Sequence, residues 1–504
     1  MNGLLEQLDT TSPSSPPDNN ITIRVVCAKP HPSTPNLSSD DVNVVHKNLE
    51  IWAVQLDNNS QWKRLDRHGP WEEFATKCGN ENDDDNNEIL QRIEQFQPTD
   101  VVAVDWHGML AWQSIVNNNS SIITASNVGP VVCYYNFRVY SSSSWGDDEN
   151  HDGDDDQTFY REKEQLSCRL ADGIICLSEH DACALRNLNP TTHETEEEEE
   201  EETKKMQDIS ILPPPLRGDV CNLARMSREG YSMLSSSIFD KYLPMEVRNA
   251  LHFVEKQQRQ RGTLLSNSHQ QQQQQQRRIF ITCISRLSPE KSPHIFVQLL
   301  RKLGGKDFLR RHCLIPILCG ARSIESYANM VVESFRSIGS SSSSDDGDDE
   351  SSSSSYWPCI VIDHHLGPHE LAAIFSHTAI NIHPCLYDAY GMTLVESAAF
   401  GVPSVVNGGG KVGAAALLGE NEGCIALDLS EIEVIDDCNE NENCVKELVE
   451  ILSTMNSRNS SNLLTKIANT ARCRALGYDE ISCCRGLLDK LDSLHRENDL
   501  VMNP

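Results

Sequence analysis

The chain has 504 residues and a formal charge of −31, with 43 Lys and Arg against 74 Asp and Glu. So acidic a balance excludes the clustered basic surface that phosphate backbones require, and nucleic acid is not an expected partner. The length allows two ordinary domains with sizeable cores.

The charge is unevenly placed. Acidic tracts occupy residues 81–88, 147–156, 194–202 and 345–350, and a glutamine tract occupies 270–276. Like-charge and low-complexity runs cannot bury enough apolar surface to order themselves, so these are expected to be disordered insertions. The 18 cysteines are scattered, with no Cys-x-x-Cys pair. That pattern points to reduced, mostly buried thiols rather than a disulfide framework. Residues 1–20 are Ser-, Pro- and Asn-rich and lack the basic and apolar regions of a signal peptide. No apolar run approaches the ~20 residues that span a bilayer. The expectation is a cytoplasmic protein, free or on a cytosolic membrane face, with no transmembrane segment.

In chain order, apolar runs at 21–27 (ITIRVVC), 49–56 (LEIWAVQL), 101–104 and 128–135 (VGPVVCYY) read as strands. The third ends in Asp105-Trp106-His107-Gly108 and the fourth in Asn136-Phe137-Arg138. Residues 141–157 read as irregular, 159–170 as a helix and 174–177 as a strand. Ser178-x-x-Asp181 then forms a capping box for a helix over 180–188. After a further strand at 209–212, residues 231–277 read as helices and linker, with the Gln tract at their end. A second series places strands at 279–284, 314–318, 359–362, 380–382, 404–406 and 423–428, separated by helical patterns. Residues 444–455 and 463–494 close the chain as helices. Strands alternating with helices at this spacing predict an α/β protein whose parallel sheets are covered on both faces. The expected domains are a disordered N-terminus at 1–20, a first domain at 21–230, the linker at 231–277, a second domain at 278–455 and C-terminal helices at 456–504.

Two segments carry chemistry. Arg286 and Lys291 share one strand-to-helix loop, where a guanidinium and an ammonium can meet a diphosphate. Residues 380–410 read strand, loop, helix, strand, with Asp388 before the helix and Glu396 inside it. Gly391 permits close backbone approach, and the N–H groups of Met392 and Thr393 at a helix N-terminus suit a phosphate. Glu396, about one turn into the helix, can accept hydrogen bonds from two ribose hydroxyls. Its neighbours Leu394, Ala398 and Ala399 argue against a solvated face. No cluster of His, Cys or Asp at ligand spacing is evident, so no metal and no cofactor are expected.

These residues resemble the second domain of the retaining glycosyltransferases of family 4, the glycosyl transferases group 1. Those proteins carry an arginine and a lysine after the first strand of that domain. A carboxylate-x-aromatic-Gly-x4-Glu run follows, and then Ala-x-Gly-x-Pro. The matching residues are Arg286, Lys291, Asp388, Tyr390, Gly391, Glu396, Ala399, Gly401 and Pro403, and Leu-Gly-Pro-His-Glu-Leu at 366–371 matches the lead-in helix. The resemblance implies a GT-B architecture, two Rossmann-like domains facing across a cleft, that moves a sugar from a nucleotide diphospho-sugar to an acceptor hydroxyl with retention. In that scheme Arg286 and Lys291 neutralise the leaving diphosphate, Glu396 holds the ribose, and Asp388, where the family usually has Glu, lies near the donor sugar. His107 matches the family's first-domain histidine facing that sugar. Asp105, Asn136 and Arg138 would line the acceptor side; the acceptor itself is open between glycan, lipid and small molecule.

One departure stands out. No glycine occurs between Gly3 and Gly69, so the family's opening Gly-rich loop has no counterpart. The first domain is therefore expected to lack its first βα unit or to have an altered half-site. The competing reading is a catalytically impaired member that binds nucleotide-sugar or acts as a scaffold. An epimerase or hydrolase of the same fold ranks behind both, for want of a paired acid and base.

Overall fold

The computed structural model describes residues 22–28, 49–54, 56, 70–79, 87–118, 129–141, 153–188, 208–229, 238–262, 278–340, 356–433, 443–454 and 461–502. The expected disordered N-terminus, the glutamine tract and most of the acidic tracts lie outside these residues. One boundary is corrected. The helix Gly153–Leu170 includes the end of the stretch read as irregular.

The chain divides into two compact units. One comprises Met1–Pro214 with Glu480–Pro504, the other Pro215–Asp479. The cut differs from the sequence expectation at two places. The helix Gly218–Glu229 belongs to the second unit, where it packs on the helix Pro368–His377. The closing helical stretch breaks at Tyr478-Asp479, just past Gly477. The helix Ser461–Gly477 stays with the second unit, and Glu480–Met502 returns to the first.

In the first unit, β1 (Ile23–Ala28) pairs in parallel with β2 (Leu49–Val54). The segment between them, residues 29–48, on which the expected opening βα unit falls, lies outside the described residues. A second parallel sheet has the order β3 (Asp100–Val104), β4 (Val131–Asn136), β5 (Gly173–Cys176), β6 (Ser210–Ile211). Trp52, Phe74, Leu90 and Ile115 fill a core on one side, and Met109, Tyr134, Ile174 and Leu185 another. The helix Glu480–Met502 is tied to this unit by Lys490–Asp208 (2.7 Å) and His495–Asp100 (2.8 Å).

The second unit holds one six-stranded parallel sheet. Its strands are β7 (Phe280–Ile284), β8 (Ile315–Cys319), β9 (Ile360–Ile362), β10 (Thr378–His383), β11 (Ser404–Asn407) and β12 (Ile425–Leu427). The order is β12-β11-β10-β7-β8-β9. Nearly every residue of these strands is buried, as continuous apolar runs covered by helices on both faces require. The cysteines of the described residues are mostly buried. Burial pushes the Cys78, Cys133 and Cys283 thiols up to about 12, which makes them inert. Among the described residues no helix is long and apolar enough to cross a membrane.

Candidate functional site

The chain direction across the second sheet reverses between β7 and β10, the position where an open parallel sheet leaves a crevice at its C-terminal edge. Both chemistry-bearing loops leave from there. After β7 comes the 3₁₀ turn Pro289–Lys291, and Ser292, at φ 48°, redirects the chain into the helix Pro293–Lys302. After β10 the chain reaches Gly391, which caps the helix Met392–Ala399 at φ 88°. Only glycine holds that left-handed conformation cheaply. A Cβ there would also come within 3.4 Å of His383 Nε2 and 3.3 Å of Val412. Gly320, at the end of β8, is required by close approach, since its Cβ would fall 1.7 Å from Ser285 O. Without it the loop bearing Arg286 could not lie against the sheet.

Asp388 is the centre of the second unit's polar group. Lys291 Nζ donates to its Oδ2 at 2.7 Å, and His383 Nε2 lies 3.2 Å from the same oxygen. Burial alone would raise this carboxyl, but His383 and Lys291 together hold it well below the usual carboxylate range, so Asp388 is ionised. Its backbone is pinned as well: Asp388 N donates to Lys411 O and Gly413 N to Asp388 O, both at 3.0 Å. Arg286 is half exposed and pairs with Glu290 at 3.3 Å. Each loop cation thus has its own carboxylate.

Glu396 is only 3% exposed, in agreement with its apolar neighbours. Arg217 Nη1 stands 3.7 Å from it, while the other Arg217 nitrogen pairs with Asp219 at 2.8 Å. Burial raises Glu396 to about 7, with Arg217 lowering and Asp219 raising it. The helix bearing Glu396 is fixed by a buried polar chain. Thr282 donates to Asn381 (3.1 Å), Asn381 to Ser404 (3.3 Å), and Ser404 meets Ser397 (2.8 Å). At its C-terminal end Arg278 donates to Phe400 O and Gly401 O at 3.1 and 2.7 Å, and Arg472 donates to Ala399 O. Cations there complement the helix dipole, leaving the N-terminal N–H groups of Met392 and Thr393 at the crevice.

The polar group of the first unit is of another kind. Asp105, at φ 53°, opens the helix Asp105–Asn118 and accepts from Phe137 N at 2.7 Å. Asp181 accepts from Val139 N (3.1 Å), and Glu164 accepts from Tyr140 N (2.6 Å) and from Ser141. Three buried carboxylates from three elements thus hold the loop after β4 by its backbone. Burial raises Asp105 and Glu164 to about 7, each against its hydrogen bonds. Asn136 is fully buried and donates to Tyr134 Oη (2.8 Å) and Arg138 O (2.9 Å), so it serves this loop too. His107 packs against both Trp71 and Trp106, with centroids at 4.5 and 4.2 Å, and burial lowers it to about 4, so the ring is neutral at pH 7.

Sequence reasoning brought Lys291, Asp388, Gly391 and Glu396 to one sheet edge but missed several residues. Glu164 sits in a helix of unremarkable polar pattern. Asp181 appeared as a capping-box residue; Ser178 does cap the helix, but the second Asp181 oxygen turns to Val139 N. The expectation that no ligand-type cluster exists does not hold either. Atoms of His383, Cys385 and Asp388 lie within 4.8 Å of one another. The signal was present as His-x-Cys-x2-Asp at a strand end, where residues i and i+2 point the same way.

No protein-family profile matches the chain, and no curated protein matches it. Solved structures do. A sucrose-phosphate synthase from Thermosynechococcus elongatus superposes with TM-score 0.55 at 10% identity, covering 94% of this chain and 89% of that one. An α,α-trehalose 6-phosphate synthase from Burkholderia multivorans gives 0.55 at 11%, covering 96% and 99%. An α,α-trehalose-phosphate synthase (UDP-forming) from Burkholderia xenovorans, in complex with glucose-6-phosphate, gives 0.53 at 12%, covering 88% and 87%. The likeness is one of fold, the α/β GT-B fold with two Rossmann-like domains. It does not single out family 4.

Proposed function

We propose that this protein transfers a sugar from a nucleoside diphospho-sugar to an acceptor hydroxyl with retention of configuration. What supports the reading is the Lys291–Asp388 pair, joining the loops after the neighbouring strands β7 and β10, together with the Gly391-capped helix that follows Asp388 and carries buried Glu396. Glu396 accepts the ribose hydroxyls. The N–H groups of Met392 and Thr393 and the Lys291 ammonium meet the diphosphate, on which charge grows as the bond to the sugar breaks; preorganised donors aimed at developing charge lower such a barrier. For this, Lys291 moves from Asp388 to phosphate, and His383 stays beside the carboxylate. Ionised Asp388 then faces the electron-poor sugar, and Arg286 screens the phosphates from the rim. The Arg286, Lys291, Asp388-x-Tyr390-Gly391-x4-Glu396 pattern supports the finer assignment to retaining family 4. The sugar-phosphate synthases among the fold neighbours make a phosphorylated sugar the first acceptor class to try, and a UDP-sugar the first donor.

A second reading is favoured by one observation. Lys291 is already held by Asp388 at 2.7 Å, and a pair too strong to open would leave a nucleotide-sugar-binding module without turnover. A panel of UDP-, GDP- and ADP-sugars, with product analysis against sugar-phosphate acceptors, separates the two. Transfer with one donor supports the enzyme, and binding without turnover supports the module. The absence of both binding and turnover would sink both.

A further inference from the structure

We propose that His383, Cys385 and Asp388 form a binding site for a thiophilic divalent cation of the zinc class, and that this cation competes with the Lys291 ammonium for Asp388. The three donor atoms lie within 4.8 Å of one another, and His383 Nε2 and Asp388 Oδ2 are 3.2 Å apart. Tetrahedral zinc, with bonds of about 2.0–2.3 Å, needs its ligand atoms roughly 3.3–3.6 Å apart, so only the sulfur has to move by more than a few tenths of an ångström. His383 is 2% exposed, and its Nε2 is aimed at Asp388 Oδ2, 3.2 Å away. An imidazole nitrogen held in this way is preorganised for a metal.

Cys385 supplies the chemical reason for a soft ion. Its sulfur is buried 3.0 Å from Glu290 O and 2.7 Å from Tyr387 O. Sulfur is a soft donor, and beside an imidazole nitrogen and a carboxylate it makes up a donor set that suits zinc. On binding, bonds form from the metal to sulfur, imidazole nitrogen and carboxylate oxygen. The thiol proton leaves to solvent, and no electron is transferred. The fourth position stays open, as in zinc sites with three protein ligands. Lys291 Nζ, 2.7 Å from the shared oxygen, cannot stay beside a dication and must swing away. The metal and the Lys291–Asp388 pair therefore exclude each other, and a thiophilic ion shuts the crevice by capturing its central carboxylate.

The test is a Zn²⁺ titration of the reduced full-length protein, competed against a chromophoric chelator, with folding of every variant checked by thermal melting. Cys385→Ser and His383→Gln should each weaken the tightest site at least tenfold, Cys183→Ser should leave it unchanged, and Lys291→Met should tighten it at least tenfold. The proposal is overturned if the tightest site survives both Cys385→Ser and His383→Gln, or if Lys291→Met leaves its affinity unchanged. Should Cys385→Ser fail to fold, His383→Gln and Lys291→Met still decide. None of these readouts requires donor binding or turnover.

Discussion

Each unit buries acidic side chains at the C-terminal edge of a parallel sheet, but it satisfies them by opposite means. In the first, Asp105, Asp181 and Glu164 are answered by backbone N–H groups of the loop after β4. In the second, Asp388 is answered by Lys291 and His383. Backbone donors cannot leave, so the first arrangement fixes a loop. A lysine on a flexible stem can leave, so the second is exchangeable, and ligand chemistry needs exchange. The opposite displacements of Asp105 and Asp388 from the ordinary aspartate range record this difference.

The largest effect that would sharpen the contrast is expected at Lys291. Lys291→Ala strands an ionised, buried Asp388, and breaking one partner of a buried pair costs roughly 3–5 kcal/mol. Urea unfolding should show that loss, and the double variant Lys291→Ala/Asp388→Asn should recover much of it. Glu164→Leu should cost less, about 1–3 kcal/mol for unsatisfied backbone donors. Its effect should appear as faster hydrogen exchange at Tyr140 and Ser141.

The two centres also respond oppositely to pH. Asp105 and Glu164 sit at about 7 when folded, above the 3.8 and 4.5 of the free groups. The folded state therefore holds protons that the unfolded chain releases. The stability contributed by these groups is fully present below about pH 4, falls as pH rises through 7, and is lost above. Asp388, lowered on folding, contributes stability above the free-group value and loses it as pH falls towards its depressed value. Urea midpoints between pH 5 and 8 should fall with rising pH, and Asp105→Asn/Glu164→Gln should flatten the slope. Buried Glu396, also raised to about 7, adds a part of the same sign, so a slope that the double variant leaves undiminished would contradict the assignment.

Glu396 gives a smaller effect. Raised to about 7, it must ionise to accept ribose hydroxyls, so donor affinity should rise about tenfold from pH 6 to pH 8 and then level off. Glu396→Gln should bind weakly and without that trend. Smallest is Arg217→Ala. Its guanidinium is part-exposed and 3.7 Å from Glu396, so stability should change by less than ~1 kcal/mol.

What the sequence disclosed follows the same division. The second unit was legible because its site rests on local spacing: Asp388, Gly391 and Glu396 are fixed by one loop and one helix, and Lys291 ends the loop of the neighbouring strand. Its apolar runs are continuous, and the predicted strands fell within a residue or two of those observed. The first unit was less legible because its polar centre is assembled from three distant segments. Nothing near Glu164 announces that its carboxylate will meet Tyr140 N. Asn136 and Asp105 looked like ligand residues because they end strands, but the structure turns them to the loop backbone. The carboxylate partners of Lys291 and Arg286 were not foreseen, because Asp388 is set by tertiary structure and Glu290 by the turn of a short 3₁₀ segment.

The central claim is that the Lys291–Asp388 pair opens onto a donor diphosphate. The most direct measurement is the thermal shift of the wild-type protein and of Lys291→Ala with saturating UDP-, GDP- and ADP-sugars. A ligand at 100 times its Kd stabilises the state it binds by about 2.7 kcal/mol. One nucleotide-sugar should raise the wild-type melting temperature by several degrees, and Lys291→Ala, though folded, should lose most of that shift. Equal shifts in the two proteins, or no shift with any donor, would contradict the account.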